Sequence, residues 1–349
     1  MAAFRVPAAQ IRARTCWIVT DGRRGSVATA AGIAETLGLH AEHRRVAPRA
    51  LWSTLPSWSF LDPLKALATS SGMLTPPWPD IAIASGRQTI PYLQALRRTS
   101  EGATFTVLLQ NPRTRLDVAD LIWCPAHDRL SGANVISTLT SPHVMRPDRL
   151  AEMRSRPVAE FEAVGRPLAA VLLGGPNRVF RYDAETIERL AQCLRNLATA
   201  GVSFLITPSR RTTAPIFRAV TAATRGAKRI VSTREGKNPY WTFLAHSDFA
   251  IVTGDSVNMV SEACATGRPV YVFEPDGGSE KFGRFHASLR VYGAAQPLTP
   301  WTRITESWTY PPLDSAPQIA GEIVRRFNAT RTTRAHLACT LSAALQSGA

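Results

Sequence analysis

Short apolar runs recur along the chain, each closed by glycine, small polar or charged residues and many followed by a helix-period pattern. Runs of this length bounded by turn residues read as buried strands. A first series lies near Cys16–Thr20 (CWIVT), Ile81–Ser85, Phe105–Gln110, Leu121–Cys124 and Val135–Thr138. A second lies near Leu168–Gly174 (LAAVLLG), Val202–Thr207, Arg229–Ser232, Phe249–Thr253 and Pro269–Phe273. Helical patterns fall between many of them, as at Ala184–Ala200 and Ser256–Thr266. Strands alternating with helices predict parallel sheets, so the expected fold class is α/β, two Rossmann-like doubly wound domains facing across a cleft. The N-terminal domain is expected over 15–150, after a disordered basic lead at 1–14, and the C-terminal domain over 168–314. The charged, proline-containing segment Arg146–Arg166 suits an interdomain connection, placed at 151–167, and the helical tail 315–349 is expected to pack back on the first domain.

Composition narrows the class. The chain has 349 residues, 45% of them hydrophobic and 19% charged, enough for two cores and against wholesale disorder. Its five cysteines are far apart with no CxxC pair, which suggests packed thiols in a reducing compartment, not a disulfide frame or zinc site. HExxH, an EF-hand loop and a Walker lysine motif are absent, and neither a metal nor a cofactor is expected. The net charge of +15 calls for anionic partners. No helix-turn-helix, zinc-finger or RRM signature accompanies the charge, so sugar nucleotide plus a lipid surface is favoured over nucleic acid.

The basic lead MAAFRVPAAQIRAR lacks the apolar centre of a secretory signal, and no apolar run reaches the roughly 18 residues of a spanning helix. The insert at 49–80 gathers Trp52, Trp58, Phe60, Leu64 and Trp78 around Arg49 and Lys65. Aromatic residues beside cations suit a membrane interface, with Trp52, Trp58 and Phe60 as contacts. The competing reading folds the tryptophans onto their own domain. The expected location is cytoplasmic, peripheral on the inner face of the membrane where the insert meets lipid.

Candidate chemistry gathers at the strand ends. The stretch Ile251–Tyr271 (IVTGDSVNMVSEACATGRPVY) reads as a strand, a turn, a short helix and a second strand. Asp255 and Ser256 supply cap chemistry, and the helix start offers free backbone N–H groups suited to phosphate. Asn258 and, about two turns in, Glu262 complete a nucleotide candidate. Gly174 and Gly175 close a strongly apolar strand and let a ligand approach the backbone. Ser209, Arg210 and Arg211 close the next, and two arginines suit a diphosphate. Tyr240 starts a helix, where it edges a base or merely packs, and Lys281–His286 form a basic-aromatic cluster of the same ambiguity. In the first half, Asp21, Gly22 and Gly25 follow the first strand, Ser85 and Arg87 the second, Asn111 the third, and His127 with Asp128 the fourth. His127 and Asp128 are the acid–base candidates, because imidazole titrates near neutral pH. Asp21 is a further candidate base.

The arrangement at 251–271 resembles the donor-nucleotide half of GT-B glycosyltransferases. Across Trp17 to Leu313 the ordered set DGRRG, SGR, QNPR, PAHD, GANVI, LLGGP, SRRT, NPY, VTGDSVNMVSEA, TGRPVY and KFGRFH resembles the mitochondrial fission, or elongated-mitochondria, family of plants and bacteria. After DGRRG this chain departs from it, with Ser26-Val27-Ala28-Thr29. The resemblance implies a GT-B-like scaffold. Two functions remain open. One is a glycosyltransferase using a nucleoside-diphosphate sugar on an envelope or lipid-linked acceptor; the absence of a DxD pair fits a metal-independent enzyme. The other is a non-catalytic peripheral membrane factor on the same scaffold.

Overall fold

The computed structural model describes residues 11–22, 24–46, 74–233, 238–304 and 308–347, with backbone alone at 24–25 and 334–347. They form two units. The first runs to Thr138 and takes in Pro142–Val144 and the chain from Ser315; the second comprises Leu139–Ser141 and Met145–Asp314.

In the first unit, β1 (Cys16–Thr20), β2 (Ala41–Arg45), β3 (Ile81–Ser85), β4 (Phe105–Leu109), β5 (Leu121–Pro125) and β6 (Val135–Thr138) form one parallel sheet, ordered β2-β1-β3-β4-β5-β6. Helix α1 (Arg24–Thr36) links β1 to β2, and α2 (Ile90–Thr99) links β3 to β4. Successive side chains alternate between faces. Ile18, Ile81 and Ile83 therefore meet Ile33 of α1 in one core, while Trp17, Val19 and Ala84 meet Leu93 and Leu96 of α2 in the other. The chain leaves β1 for β2 on one side and returns to β3 on the other. The β1/β3 boundary is thus a topological switch point, where open parallel sheets bind ligands.

The second unit begins with α3 (Pro147–Ser155) and α4 (Ala159–Val164). Next come β7 (Leu168–Leu173), β8 (Phe180–Arg181), α5 (Ala184–Thr199), β9 (Ser203–Pro208), α6 (Ala214–Ala223), β10 (Arg229–Val231), α7 (Tyr240–His246) and β11 (Phe249–Thr253). It closes with α8 (Val257–Cys264), β12 (Val270–Phe273), β13 (Asp276–Gly277), α9 (Glu280–Tyr292) and β14 (Ala295–Pro297). The main sheet is parallel, ordered β10-β9-β7-β11-β12-β14, and β8 pairs with β13 in a small antiparallel ribbon. β7 is buried at every position because both faces are covered. Ala170 and Leu172 join Phe243, Val252 and Val260 on one face, and Val171 and Leu173 join Leu190, Leu194 and Phe204 on the other. Asp183 caps α5, accepting from Thr186 N at 2.8 Å. The switch point here lies between β7 and β11.

The chain then returns to the first unit as α10 (Ala316–Ser347). Ile319, Ile323 and Phe327, on one helical face, enter its core, where Phe327 meets Phe105 edge-on at 6.0 Å. Arg331 pairs with Asp80 at 3.1 Å.

Several expectations change. The supposed connection at 151–167 folds into α3 and α4 and joins the second unit, because Leu150, Phe161 and Val164 are buried there. The end of the basic lead is ordered: Ala13 is buried and Arg14 N donates to Asp80 Oδ2 at 2.8 Å. Residues 1–10 lie outside the described residues, as do Trp52, Trp58 and Phe60 of the insert. Of that insert, Trp78 packs edge-on against Trp17 at 6.2 Å, so it folds onto its own unit instead of standing ready for lipid. β2 was not foreseen: as an edge strand it carries AEHRR, polar and largely exposed, with no alternation to read. Cys16, Cys124, Cys193 and Cys264 are buried thiols outside any disulfide among the described residues, and burial pushes the Cys16 and Cys264 thiols up to about 12. Among the described residues no helix is long and apolar enough to cross a membrane.

Removing the Phe327 ring empties a fully packed site, so Phe327→Ala should cost about 3–5 kcal/mol in urea unfolding of the full chain. A loss under about 1 kcal/mol would mean that α10 does not anchor through this ring.

Candidate functional site

At the carboxyl ends of β9, β7 and β11, three turns converge on one buried carboxylate. Asp255 follows β11, and its side chain is fully inaccessible. A buried carboxylate must be paired and hydrogen-bonded to be tolerated. Tyr182 donates its hydroxyl to Asp255 Oδ1 at 2.7 Å, Gly175 N donates to Oδ2 at 3.2 Å, and Arg211 pairs with Oδ2 at 2.7 Å. Burial, then the facing carboxylate, holds the Tyr182 phenol well above its ordinary range. Arg211 also donates to Gly175 O at 3.2 Å, and Asn177 Nδ2 to Asp255 O at 3.1 Å. Thr212 Oγ1 lies 2.7 Å from both Leu173 O and Gly174 O, and Gly174 N donates to Thr253 Oγ1 at 2.7 Å. The turns after three neighbouring strands are thereby tied into one piece.

This geometry revises the role of the two glycines. A Cβ on Gly174 would stand 2.2 Å from Asp255 Oδ1, and one on Gly175 would stand 1.9 Å from Arg211 O. The space above them is filled by the protein's own carboxylate and backbone, not left for a ligand. The two arginines also differ. Arg211 is engaged by Asp255, whereas Arg210 is exposed. Ser209 Oγ accepts from Arg211 N at 3.2 Å and shapes the turn.

α8 starts from this cluster. Ser256 caps it, accepting from Met259 N at 3.4 Å, and Asn258 is exposed in its first turn. Glu262 lies about 9 Å further along the helix axis. Tyr240 donates its hydroxyl to Glu262 Oε2 at 2.6 Å, which places the tyrosine as a partner of the candidate ribose acceptor. Burial raises the Glu262 carboxyl from 4.5 to about 7, against the lowering effect of the Tyr240 hydrogen bond.

One residue beside the cluster was read only as part of a basic-aromatic run. His286 of α9 is buried, with Nδ1 3.4 Å from Glu274 Oε1. A Cβ on Gly254 would stand 2.7 Å from its Cε1. Hydrogen bonding to His286, then to Arg290, holds the Glu274 carboxyl below its ordinary range. The signal for this contact is three-dimensional: residues after β12 and within α9 meet only once the helix packs on the sheet.

In the first unit, Asp21 and Gly86 meet at the β1/β3 switch point: a Cβ on Gly86 would lie 3.3 Å from Asp21 Oδ2. Gly86 has φ +111° and Gly22 φ +85°, backbone regions that glycine alone enters readily. Gly25 lies in the first turn of α1, Ser85 is buried at the end of β3, Arg87 is exposed, and Asn111 Oδ1 accepts from Arg113 N at 2.9 Å. His127 is buried in a short 3-10 turn, Ala126–Asp128, and Asp128 Oδ2 accepts from Cys124 Sγ at 3.4 Å. β5 stands three strands from β1, about 14 Å across the sheet, so Asp21 and the His127–Asp128 turn occupy separate places.

Two Rossmann-like units, each a six-stranded parallel sheet with its own switch point, define the GT-B class of fold. Within that class, the chain belongs to the family described as mitochondrial fission ELM1, whose model matches residues 24–327. It is 33% identical over 276 residues to the mitochondrial fission protein ELM1 of Arabidopsis thaliana, an alignment covering 72% of this chain and 64% of that one. The match therefore spans less than two thirds of that relative's length. Among solved structures, the UDP-GlcNAc 2-epimerase of Neisseria meningitidis bound to UDP-GlcNAc matches with a TM-score of 0.52 at 12% identity, over 82% of this chain and 87% of that chain. The UDP-GlcNAc 2-epimerase of Methanocaldococcus jannaschii matches at 0.50 with 10% identity, over 90% and 99%. At such identities the likeness is one of fold.

Two outcomes follow from the geometry. Gly175→Ala forces the 209–212 turn outward and should lower stability by about 1–3 kcal/mol in chemical denaturation; an unchanged midpoint would show that the turn moves freely. Glu262 binds its proton more tightly in the folded chain, so its stabilising contribution is full below 4.5 and is lost as pH rises through about 7. Glu262→Gln should therefore lose less thermal stability than wild type across that interval. Parallel melting curves against pH would rule out the raised carboxyl.

Proposed function

We propose that the second unit binds a nucleoside-diphosphate sugar at the β7/β11 switch point, and that the chain is a GT-B-type glycosyltransferase with an envelope or lipid-linked glycan as acceptor. One observation carries this reading: the Asp255 cluster rigidifies the turns around the N-terminus of α8. A helix start held in this way presents backbone N–H groups to a diphosphate without further reorganisation. Exposed Arg210 adds charge, Asn258 a polar contact, and Glu262, oriented by the Tyr240 hydroxyl it accepts from, an acceptor for the ribose hydroxyls. The Neisseria relative in fold, which holds UDP-GlcNAc, supports the ligand class. Transfer would then rest on positioning and on stabilising the leaving diphosphate. Asp21, at the first unit's switch point, is the candidate base on the acceptor side, with the buried His127 behind it in preference.

A second reading, a peripheral membrane factor without catalysis, is favoured by the name of the Arabidopsis relative and by the space over Gly174 and Gly175 being already filled. Titration separates the two. The enzyme reading expects UDP and UDP-GlcNAc to bind and, at a hundred times Kd, to stabilise the fold by about 2.7 kcal/mol. Arg210→Ala should weaken UDP more than uridine. No thermal shift with any nucleoside diphosphate would leave the non-catalytic reading standing.

A further inference from the structure

His286 is buried against the turn that opens α8, and the ribose and diphosphate contacts leave it unused. Its ring is held from one side: Nδ1 stands 3.4 Å from Glu274 Oε1, and the same oxygen takes Arg290 Nη1 at 3.0 Å. A carboxylate in that position fixes the ring's orientation and keeps a proton on Nδ1. From the other side, a Cβ at Gly254 would come within 2.7 Å of Cε1, so the imidazole lies directly on the Gly254–Ser256 turn. The remaining nitrogen, Nε2, is buried and has no hydrogen-bond partner among the described residues. Packing alone gives no reason for an imidazole here, since Phe282 and Phe285 already flank the ring and an apolar side chain would fill the site without an unmet polar atom.

We propose that His286, oriented by Glu274, forms with the Gly254–Ser256 turn a subsite for the terminal phosphate of a nucleoside diphosphate, Nε2–H donating to a phosphate oxygen. The proposal rests on the nucleotide reading of this unit and names the group that reads the second phosphate. The turn contributes the partial positive charge of a helix start. The second ring proton is taken up with the anionic ligand, so that Nδ1–H faces Glu274 and Nε2–H faces the phosphate as a directional, charge-assisted donor. Phe282, half-buried with its ring 6.4 Å from His286 and edge-on to Phe180 at 4.8 Å, is a neighbouring side chain that would have to turn aside for Nε2 to meet the ligand.

Calorimetric titration of the full chain with UDP, UMP and uridine tests this. His286→Phe should weaken UDP roughly tenfold to hundredfold, the worth of a charged hydrogen bond, while UMP and uridine stay within about twofold. His286→Gln, which keeps an N–H donor, should recover part of the loss, and Glu274→Gln should weaken UDP less than His286→Phe does. If His286→Phe does not fold, His286→Gln and Glu274→Gln carry the same comparison. Unchanged UDP affinity, or equal weakening of all three ligands, would overturn the subsite and leave a packing role. Failure of the wild type to bind UDP would overturn the nucleotide reading and the subsite with it.

Discussion

A carboxylate with no access to water organises the second unit. Transferring an ionised group from water into the protein costs several kcal/mol unless donors replace its hydration. Asp255 obtains them from Gly175 and Tyr182, both in the connection from β7 to β9, and from Arg211 in the connection from β9 to β10. The requirement runs outward from there. Gly174 and Gly175 must lack side chains to admit the carboxylate and the Arg211 backbone. Thr212 and Thr253 must present hydroxyls to the same glycine turn. The helix start at Ser256 then inherits a fixed position, because the residue before it cannot move without exposing or unpairing a charge.

The first unit meets a related constraint with a smaller investment. At each switch point the connections depart in opposite directions and open a gap between adjacent strand ends. In the first unit Asp21 reaches across to Gly86, and in the second Asp255 reaches across to Gly174. Asp255 is fully buried, whereas Asp21 is half-buried. Burial makes the former a structural hub whose charge is spoken for. A half-buried carboxylate keeps access to solvent, which is why Asp21 and not Asp255 is the candidate base of the proposed function.

How much of this was legible in the chain follows from which constraints are local. β7 is apolar at every position because both its faces are covered, so LAAVLL announces a buried strand without any tertiary knowledge. β2 carries AEHRR because an edge strand needs no apolar face, and nothing local distinguishes it from a loop. The helix start at Ser256 was readable from cap chemistry, and the glycine pairs from their placement after strands. Their purpose was not. Tyr182 and Asp255 lie 73 residues apart, and Gly175 and Asp255 lie 80 apart, so the network exists only once β7 and β11 pair. The adjacent arginines of SRRT look equivalent in sequence, yet only Arg211 is aimed at the buried acid.

That division of labour bears on how a basic chain treats an anionic ligand. Much of the +15 formal charge lies on exposed side chains, where it draws anions at long range and is screened by salt. It does not by itself select a diphosphate. Selection needs charge that stays in place when a ligand arrives, and in the second unit one arginine is committed to fixing its own turn. On the proposed nucleotide reading, with Arg211 neutralised by Asp255, a phosphate would meet the backbone of α8, exposed Arg210 and the histidine beneath Gly254. Fixed dipoles at a helix start cost nothing to orient, while a long exposed arginine must lose rotamer freedom to bind. A diphosphate site at this turn would therefore be built around its backbone, and the burial of Asp255 is the reason that backbone holds still.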